Sequence, residues 1–163
     1  EPVQVSDGLV EIWLPSGSNI GSQTAFFTGT TENTVTIPGT AGNVITVGAY
    51  NARTRTYATF SGRGPLDSSR IKPDLVAPGV EVLTTTVGGG YAAFTGTSLA
   101  SPFVTGSAAL LMEWGIVKGN DQYMYGEKLK AYLINGATRV GNVWPDSARG
   151  WGELCVAASI PVK

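Results

Sequence analysis

Histidine is missing from this 163-residue sequence, and cysteine occurs only once, at Cys155. A chain without histidine cannot by itself assemble a Ser–His–Asp triad, because the imidazole is the general base of that arrangement. A single cysteine excludes a disulfide within the chain. Any hydrolytic chemistry that depends on histidine therefore needs a residue from outside these 163 positions.

Charge is also scarce: 14% of the residues are charged, and the formal net charge is -1. The sequence has no basic stripe, so neither nucleic acid nor an anionic membrane is expected as a partner. The longest apolar run, residues 103–112, is too short and too rich in small polar residues to span a bilayer. What remains, with 42% hydrophobic residues and 22 glycines, is typical of one compact domain with many tight turns.

The most informative stretch is residues 96–112, GTSLASP followed by FVTGSAALLM. A segment that is apolar on all sides predicts a helix buried on all sides, here over residues 99–112. Pro102 fits only the first turn of such a helix, where backbone N–H groups have no partner within the helix. Ser98 is therefore placed at the helix N-terminus, as a candidate nucleophile beside potential oxyanion donors. The plainer alternative is that the Gly-Thr-Ser turn is only a helix cap.

Residues 43–50 show little polar alternation, which predicts a strand of a parallel sheet covered by helices on both faces. We expect residues 44–49 and 80–84 to be neighbouring strands, with the 99–112 helix packed against the sheet. A second helix is expected over residues 127–135, ended by Gly136 in a left-handed conformation. Further short strands or β segments are predicted at residues 9–14, 25–27, 34–37 and 57–60.

A serine nucleophile needs a base, and the order of the catalytic residues differs between hydrolase plans. The α/β-hydrolase order is excluded because no histidine follows Ser98, and the second glycine of a G-x-S-x-G elbow is also missing. Residues 69–72 match S-x-x-K, but Lys72 precedes Pro73, which disfavours a helix there, and no K-T-G follows. Plans with aspartate and histidine before the serine remain open, with both expected upstream of Glu1.

Several motifs together resemble the subtilisin-like serine proteases (subtilases, peptidase family S8). They are FTGTSLASP at 94–102, VITVGA at 44–49, FSGRGP at 60–65, KPDLVAPG at 72–79 and GWG at 150–152. The resemblance covers roughly residues 38–156 and implies the C-terminal half of a subtilase catalytic domain. It implies an α/β fold: part of a three-layer domain with a mostly parallel sheet and a buried central helix, preceded by short β segments.

The opening residues most resemble the spore-germination (Csp-type) subtilases, on the EIWLP sequence at 11–15 and the PGTAGN sequence at 38–43. Those proteins carry an inserted β-domain at about this place. The resemblance thus implies two regions: residues 1–37 as the β-rich tail of an inserted domain, and residues 38–163 as the C-terminal half of the catalytic domain. It also implies an extracellular or spore-associated location.

Transferred residue by residue, the resemblance makes Ser98 the nucleophile and its backbone N–H one oxyanion donor. Thr97 would place a hydroxyl near the same oxyanion, and Phe94 would line the leaving-group side of the cleft. Asn43 imitates the family's oxyanion-hole asparagine but directly precedes a strand, so it is expected to be an ordinary turn residue. Phe103 departs from the family, which has histidine there.

Two functions from different classes follow. The first is a serine endopeptidase acting on a protein or peptide substrate, in which this chain needs the upstream half of the same catalytic domain and is inactive alone. The second is a pseudoprotease or regulatory scaffold in spore-germination signalling. No cofactor is implied, and no clustered aspartate loop predicts a calcium site. Structural ion pairs or loop hydrogen bonds are the expected roles of Arg63 and Asp74.

Overall fold

A computed structural model describes residues 12–14, 20–21, 23–64 and 70–161. The chain divides into two compact units, Glu1–Thr30 and Thr31–Lys163. In the described part of the first unit the backbone forms turns, one of them closed by the Thr24 N–H donating to the Gly21 carbonyl at 2.8 Å. The division between residues 37 and 38 stays a prediction.

The second unit contains a three-stranded sheet in the order β2-β1-β3. Strand β1 (Val47–Asn51) runs parallel to β3 (Leu75–Pro78) and antiparallel to the two-residue β2 (Thr56–Tyr57). A parallel bridge joins Val76 of β3 to Glu153, so the last part of the chain extends the sheet beside β3. Glu153 is buried and forms an ion pair with Arg55.

Strands β4 (Val82–Thr85) and β5 (Tyr91–Phe94) form a separate antiparallel hairpin. The expectation that residues 44–49 and 80–84 are neighbours in one sheet is therefore wrong. The parallel partner of β1 is β3, whose three leading residues are buried, whereas exposure alternates along β4. That alternation is typical of a hairpin strand with one face open to solvent, and it distinguishes the two segments.

Helix α1 (Thr97–Met112) packs against both β1 and β3, as predicted. It continues directly into a π-helical turn, Glu113–Val117. The core between α1 and the sheet is built from small and branched apolar side chains: Ala49, Leu75, Ala77, Ala100, Val104 and Leu111.

Within the described residues, helix α1 is buried on one face only. The buried positions form one stripe, Ala100, Val104, Ser107 and Leu111, spaced as one helical face. Apolar side chains on the rest of the helix are exposed, with Phe103 43%, Leu110 51% and Met112 45% accessible. An uncharged sequence fits a buried helix, but the described residues cover only one side of α1.

Helix α2 (Gly126–Gly136) forms where expected and packs against the short α3 (Val156–Ser159). Gly136 does not end the helix in a left-handed conformation; it lies inside α2 and is buried. A Cβ on Gly136 would lie 2.3 Å from the backbone nitrogen of Ser159. Glycine is required there because α3 approaches so closely.

The short strands predicted at 25–27 and 34–37 do not form: these residues are irregular or in turns. Thr34 and Val35 donate their N–H groups to the single carbonyl of Arg63, which is not a strand ladder. β-branched residues favour a strand only where a partner strand is available. Of the strand predicted at 9–14, residues 9–11 lie outside the described residues, and residues 12–14 are irregular.

Candidate active site

Ser98 is the second residue of α1 and is exposed. Gly96 precedes the helix, and its carbonyl accepts the Leu99 N–H at 3.0 Å. The first-turn N–H groups and the positive end of the helix dipole therefore lie beside the Ser98 hydroxyl. Negative charge that develops on an atom next to Ser98 is stabilised by this environment.

The turn that carries Ser98 is attached to the carboxyl end of β3 through Gly79. The Gly96 N–H donates to the Gly79 carbonyl at 2.8 Å, and the Gly79 N–H donates to the Tyr50 carbonyl at 3.0 Å. A Cβ on Gly79 would lie 2.6 Å from the Ala49 Cβ and 2.9 Å from the Gly96 carbonyl oxygen. Glycine at position 79 is therefore what allows the turn at residues 95–98, which carries Ser98, to approach the sheet.

The other two candidate residues lie on either side of this turn. Thr97 begins α1 and is half-buried, directly before Ser98. Phe94 ends β5, where it pairs with Val82, and its side chain is 44% exposed. The chain thus presents an exposed serine, a neighbouring hydroxyl and an exposed aromatic ring within five consecutive positions.

A base for Ser98 is not provided by the described part of the chain. The Ser98 hydroxyl forms no side-chain hydrogen bond with any described residue, and the sequence contains no histidine. An isolated serine hydroxyl is a weak nucleophile at neutral pH. The arrangement places a hydroxyl next to unpaired N–H groups, and a nucleophilic role for Ser98 would require a proton acceptor that the described residues do not provide.

Asp74 and Arg63, two polar residues of the sequence motifs, have the structural roles that were expected. Asp74 lies at the amino end of β3, where Lys72 reaches one carboxylate oxygen at 2.8 Å and Lys130 the other at 2.6 Å. Burial lowers the pKa of Lys72, and the hydrogen bond to Asp74 partly opposes that shift. Arg63 pairs with Glu32 at 3.5 Å and lies 4.9 Å from the centre of the Tyr57 ring.

The remaining candidates add no ligand chemistry to the site. Asn43 occupies an exposed turn shortly before β1. Among the described positions, no group of three His, Cys, Asp or Glu side chains is arranged to hold a metal ion. No helix within the described ranges has the length and apolarity needed to cross a membrane.

The sequence analysis missed the role of Gly79. The signal that could have indicated it is the Pro78-Gly79 pair, which directly follows a buried strand.

Comparisons with known proteins agree with this geometry. The model of the Subtilase family, Peptidase_S8, matches residues 13–152. The structure of the Clostridium perfringens CspB protease superposes with a TM-score of 0.83 at 42% identity, covering 86% of this chain and 30% of that one. The similarity to Csp-type proteases is thereby confirmed.

Two curated proteases of Bacillus subtilis are also similar. Serine protease AprX is 30% identical over 156 residues, which is 82% of this chain and 33% of AprX. Minor extracellular protease Vpr is 33% identical over 118 residues, which is 63% of this chain and 13% of Vpr. The chain spans only a minor part of the first curated proteases it matches, from 4% to 33% of their length.

Proposed function

Because the chain belongs to the subtilase family, we propose that it provides the nucleophile of a serine endopeptidase, with Ser98 in that role. One observation carries the proposal: an exposed Ser98 in the first turn of a helix whose start is attached to the edge of the sheet. Rigid placement of a nucleophile beside preorganised N–H donors is what acyl transfer requires.

In the proposed reaction, the Ser98 Oγ attacks the carbonyl carbon of a peptide bond while a base takes the hydroxyl proton. Negative charge then develops on the carbonyl oxygen, where the Ser98 N–H and the Thr97 hydroxyl act as donors. The C–N bond breaks, the amine leaves on the Phe94 side with the transferred proton, and water hydrolyses the acyl-enzyme.

The base, its aspartate and a second oxyanion donor are proposed to come from a further part of the same catalytic domain. The absence of histidine from this sequence requires such a partner. Exposed apolar side chains on α1, Phe103 and Leu110 on one flank of the buried stripe and Met112 on the other, offer surface for it to cover. The substrates are proposed to be proteins or peptides, by similarity to the proteases Vpr and CspB. The location is proposed to be extracellular, by similarity to the extracellular protease Vpr, or spore-associated, as the sequence resemblance to Csp-type subtilases implies.

The test compares Ser98→Ala with the unaltered intact protein, by peptide hydrolysis and by labelling with a fluorophosphonate. Triad residues act as a unit, and removing the serine of subtilisin lowers kcat by about two million-fold. We expect a loss of that order and no labelling. Ser101→Ala, an exposed serine one turn later on α1, is the matched control and should retain activity and labelling.

The purified 163-residue chain alone should neither hydrolyse peptides nor react with the fluorophosphonate, since it has no base. Stoichiometric labelling of Ser98 in that chain would contradict the requirement for a partner. If the intact protein cleaves nothing and its biological signalling persists in Ser98→Ala, the endopeptidase proposal is wrong and the scaffold function takes its place.

A further inference from the structure

The turn at residues 95–98, here called the nucleophile turn after the role proposed for Ser98, has a second attachment, which is made by a side chain. The Thr95 Oγ1 accepts the backbone N–H of Glu81 at 3.0 Å. Thr95 directly follows β5, and Glu81 directly precedes β4. This hydrogen bond therefore closes the open end of the β4–β5 hairpin, three residues before Ser98.

The β4–β5 backbone pairing stops before Thr95 and Glu81, so it does not join these two residues. Val82 and Phe94 are the last paired residues of the hairpin at this end. Beyond this pair, the Gly96 N–H donates to the Gly79 carbonyl and not to β4. Glu81 adopts a left-handed backbone conformation with φ 52°. Such a conformation is unfavourable for a residue with a Cβ and persists only where its surroundings fix it. In this geometry the Glu81 N–H donates to the Thr95 hydroxyl.

We propose that Thr95 is a positioning residue for Ser98, an inference that rests on the proposed function. The Gly96 bond to Gly79 and the Thr95 bond to Glu81 attach two successive residues to the same short segment. Together with the Val82–Phe94 pair, these two bonds restrict the direction of the chain as it enters α1, and the Thr95 bond is the one made by a side chain. Thr95 acts through the backbone and has no part in the chemical step.

The effect of losing this bond should fall on geometry more than on stability. The Thr95–Glu81 bond is exposed, so water can replace the missing acceptor at little cost. The orientation of Ser98 has no such replacement, and a displacement of about 1 Å in an active site can reduce the rate by about 10²-fold.

The experiment uses the intact protein with three variants. Thr95→Val keeps the β-branched shape and removes the acceptor, while Thr95→Ser retains the hydroxyl. Thr86→Val is the matched control, since the Thr86 hydroxyl donates to the Gly89 carbonyl at 2.8 Å inside the turn of the same hairpin. The measurements are kcat, KM, the rate of fluorophosphonate labelling at Ser98, and Tm.

We expect Thr95→Val to lower both kcat and the labelling rate by about 10- to 100-fold, with KM changed less than about twofold. Thr95→Ser should recover most of the rate, and Thr86→Val should react like the unaltered protein. Wild-type labelling in Thr95→Val, or an equal loss in Thr86→Val, overturns the positioning role alone. An unaltered protein that does not react at Ser98 overturns the proposed function and this inference with it.

Discussion

The two ends of strand β3 are built by opposite means. At the amino end, Asp74 accepts the Thr46 N–H at 2.7 Å and pairs with Lys72 and Lys130, with Lys72 and Asp74 themselves buried. At the carboxyl end, Gly79 contacts the nucleophile turn through main-chain groups alone. One end is stabilised by buried charge, and the other is uncharged and shaped by the lack of a side chain.

This difference separates stability from positioning. A buried cluster of charges is costly to disrupt, because removing one member leaves the others desolvated without a partner. A glycine contact contributes little energy itself but determines how close two segments can come. Changes at the amino end should therefore alter how much protein is folded, and changes at the carboxyl end should alter how the folded protein reacts.

The largest expected effect is at the amino end. Asp74→Asn keeps the shape but leaves Lys72 and Lys130 without their carboxylate, so the free energy of unfolding should fall by about 3–5 kcal/mol. Chemical denaturation of the intact protein measures this loss. The fraction that remains folded should still label at Ser98 at the unaltered rate.

Glu113→Gln is the matched control, since Glu113 pairs with Lys118 at 3.1 Å and both side chains are more than half exposed. Exposed ion pairs contribute little, so its effect on unfolding should be much smaller. Equal destabilisation by the two variants would show that burial of the Asp74 cluster is not what matters. A loss of labelling in folded Asp74→Asn would contradict the separation of the two ends.

A smaller stability effect, with a distinct effect on reactivity, is expected at the carboxyl end. Gly79→Ala places a Cβ against Ala49 and the Gly96 carbonyl, where neither neighbour can swing aside. Overpacking of this kind costs about 1–3 kcal/mol. Because the Gly96 carbonyl belongs to the nucleophile turn, the folded protein should also label at Ser98 at least about 10-fold more slowly.

Gly126→Ala, at the start of α2, tests whether this is a steric effect. A Cβ on Gly126 meets no atom within 4 Å, so both stability and labelling should stay close to those of the unaltered protein. If folded Gly79→Ala labels as fast as Gly126→Ala, the close approach to Gly79 does not position Ser98.

The sequence allowed the nucleophile end to be predicted further than the rest of the fold. The helix at α1 and the position of Ser98 in its first turn follow from local rules for glycine and proline. The partner strand of β1 could not be predicted in this way, because residues 75–78 and 82–85 are both short and apolar enough to be strands. Which of them pairs with β1 is decided by contacts distant in sequence.

The close approaches were equally hidden from the sequence. Gly79 and Gly136 each allow another segment to pack against the backbone, but a glycine in a sequence does not reveal which segment that is. The hydrogen bond between Thr95 and Glu81 depends on the left-handed backbone conformation of Glu81, which no local sequence pattern predicts. The exposure of one side of α1 was not predicted, because the sequence pattern indicates that a helix face is apolar but not which other residues cover it.

The smallest expected effect concerns the pH dependence of the amino end. Burial lowers the pKa of Lys72 below its usual 10.5, so between the lowered value and 10.5 the unfolded chain binds more protons than the folded one. The stability advantage of the unaltered protein over Lys72→Met should therefore grow as the pH rises through that window.

For Lys128 the change of stability with pH has the opposite sign, because its hydrogen bond to Asp121 raises the pKa of Lys128 above 10.5. The advantage over Lys128→Met should be complete below 10.5 and decline above it. Denaturation curves from about pH 8 to 11 measure both differences. Parallel trends for the two lysines would show that Lys72 is not held as a desolvated cation, and the contrast between the two ends of β3 would lose its electrostatic basis.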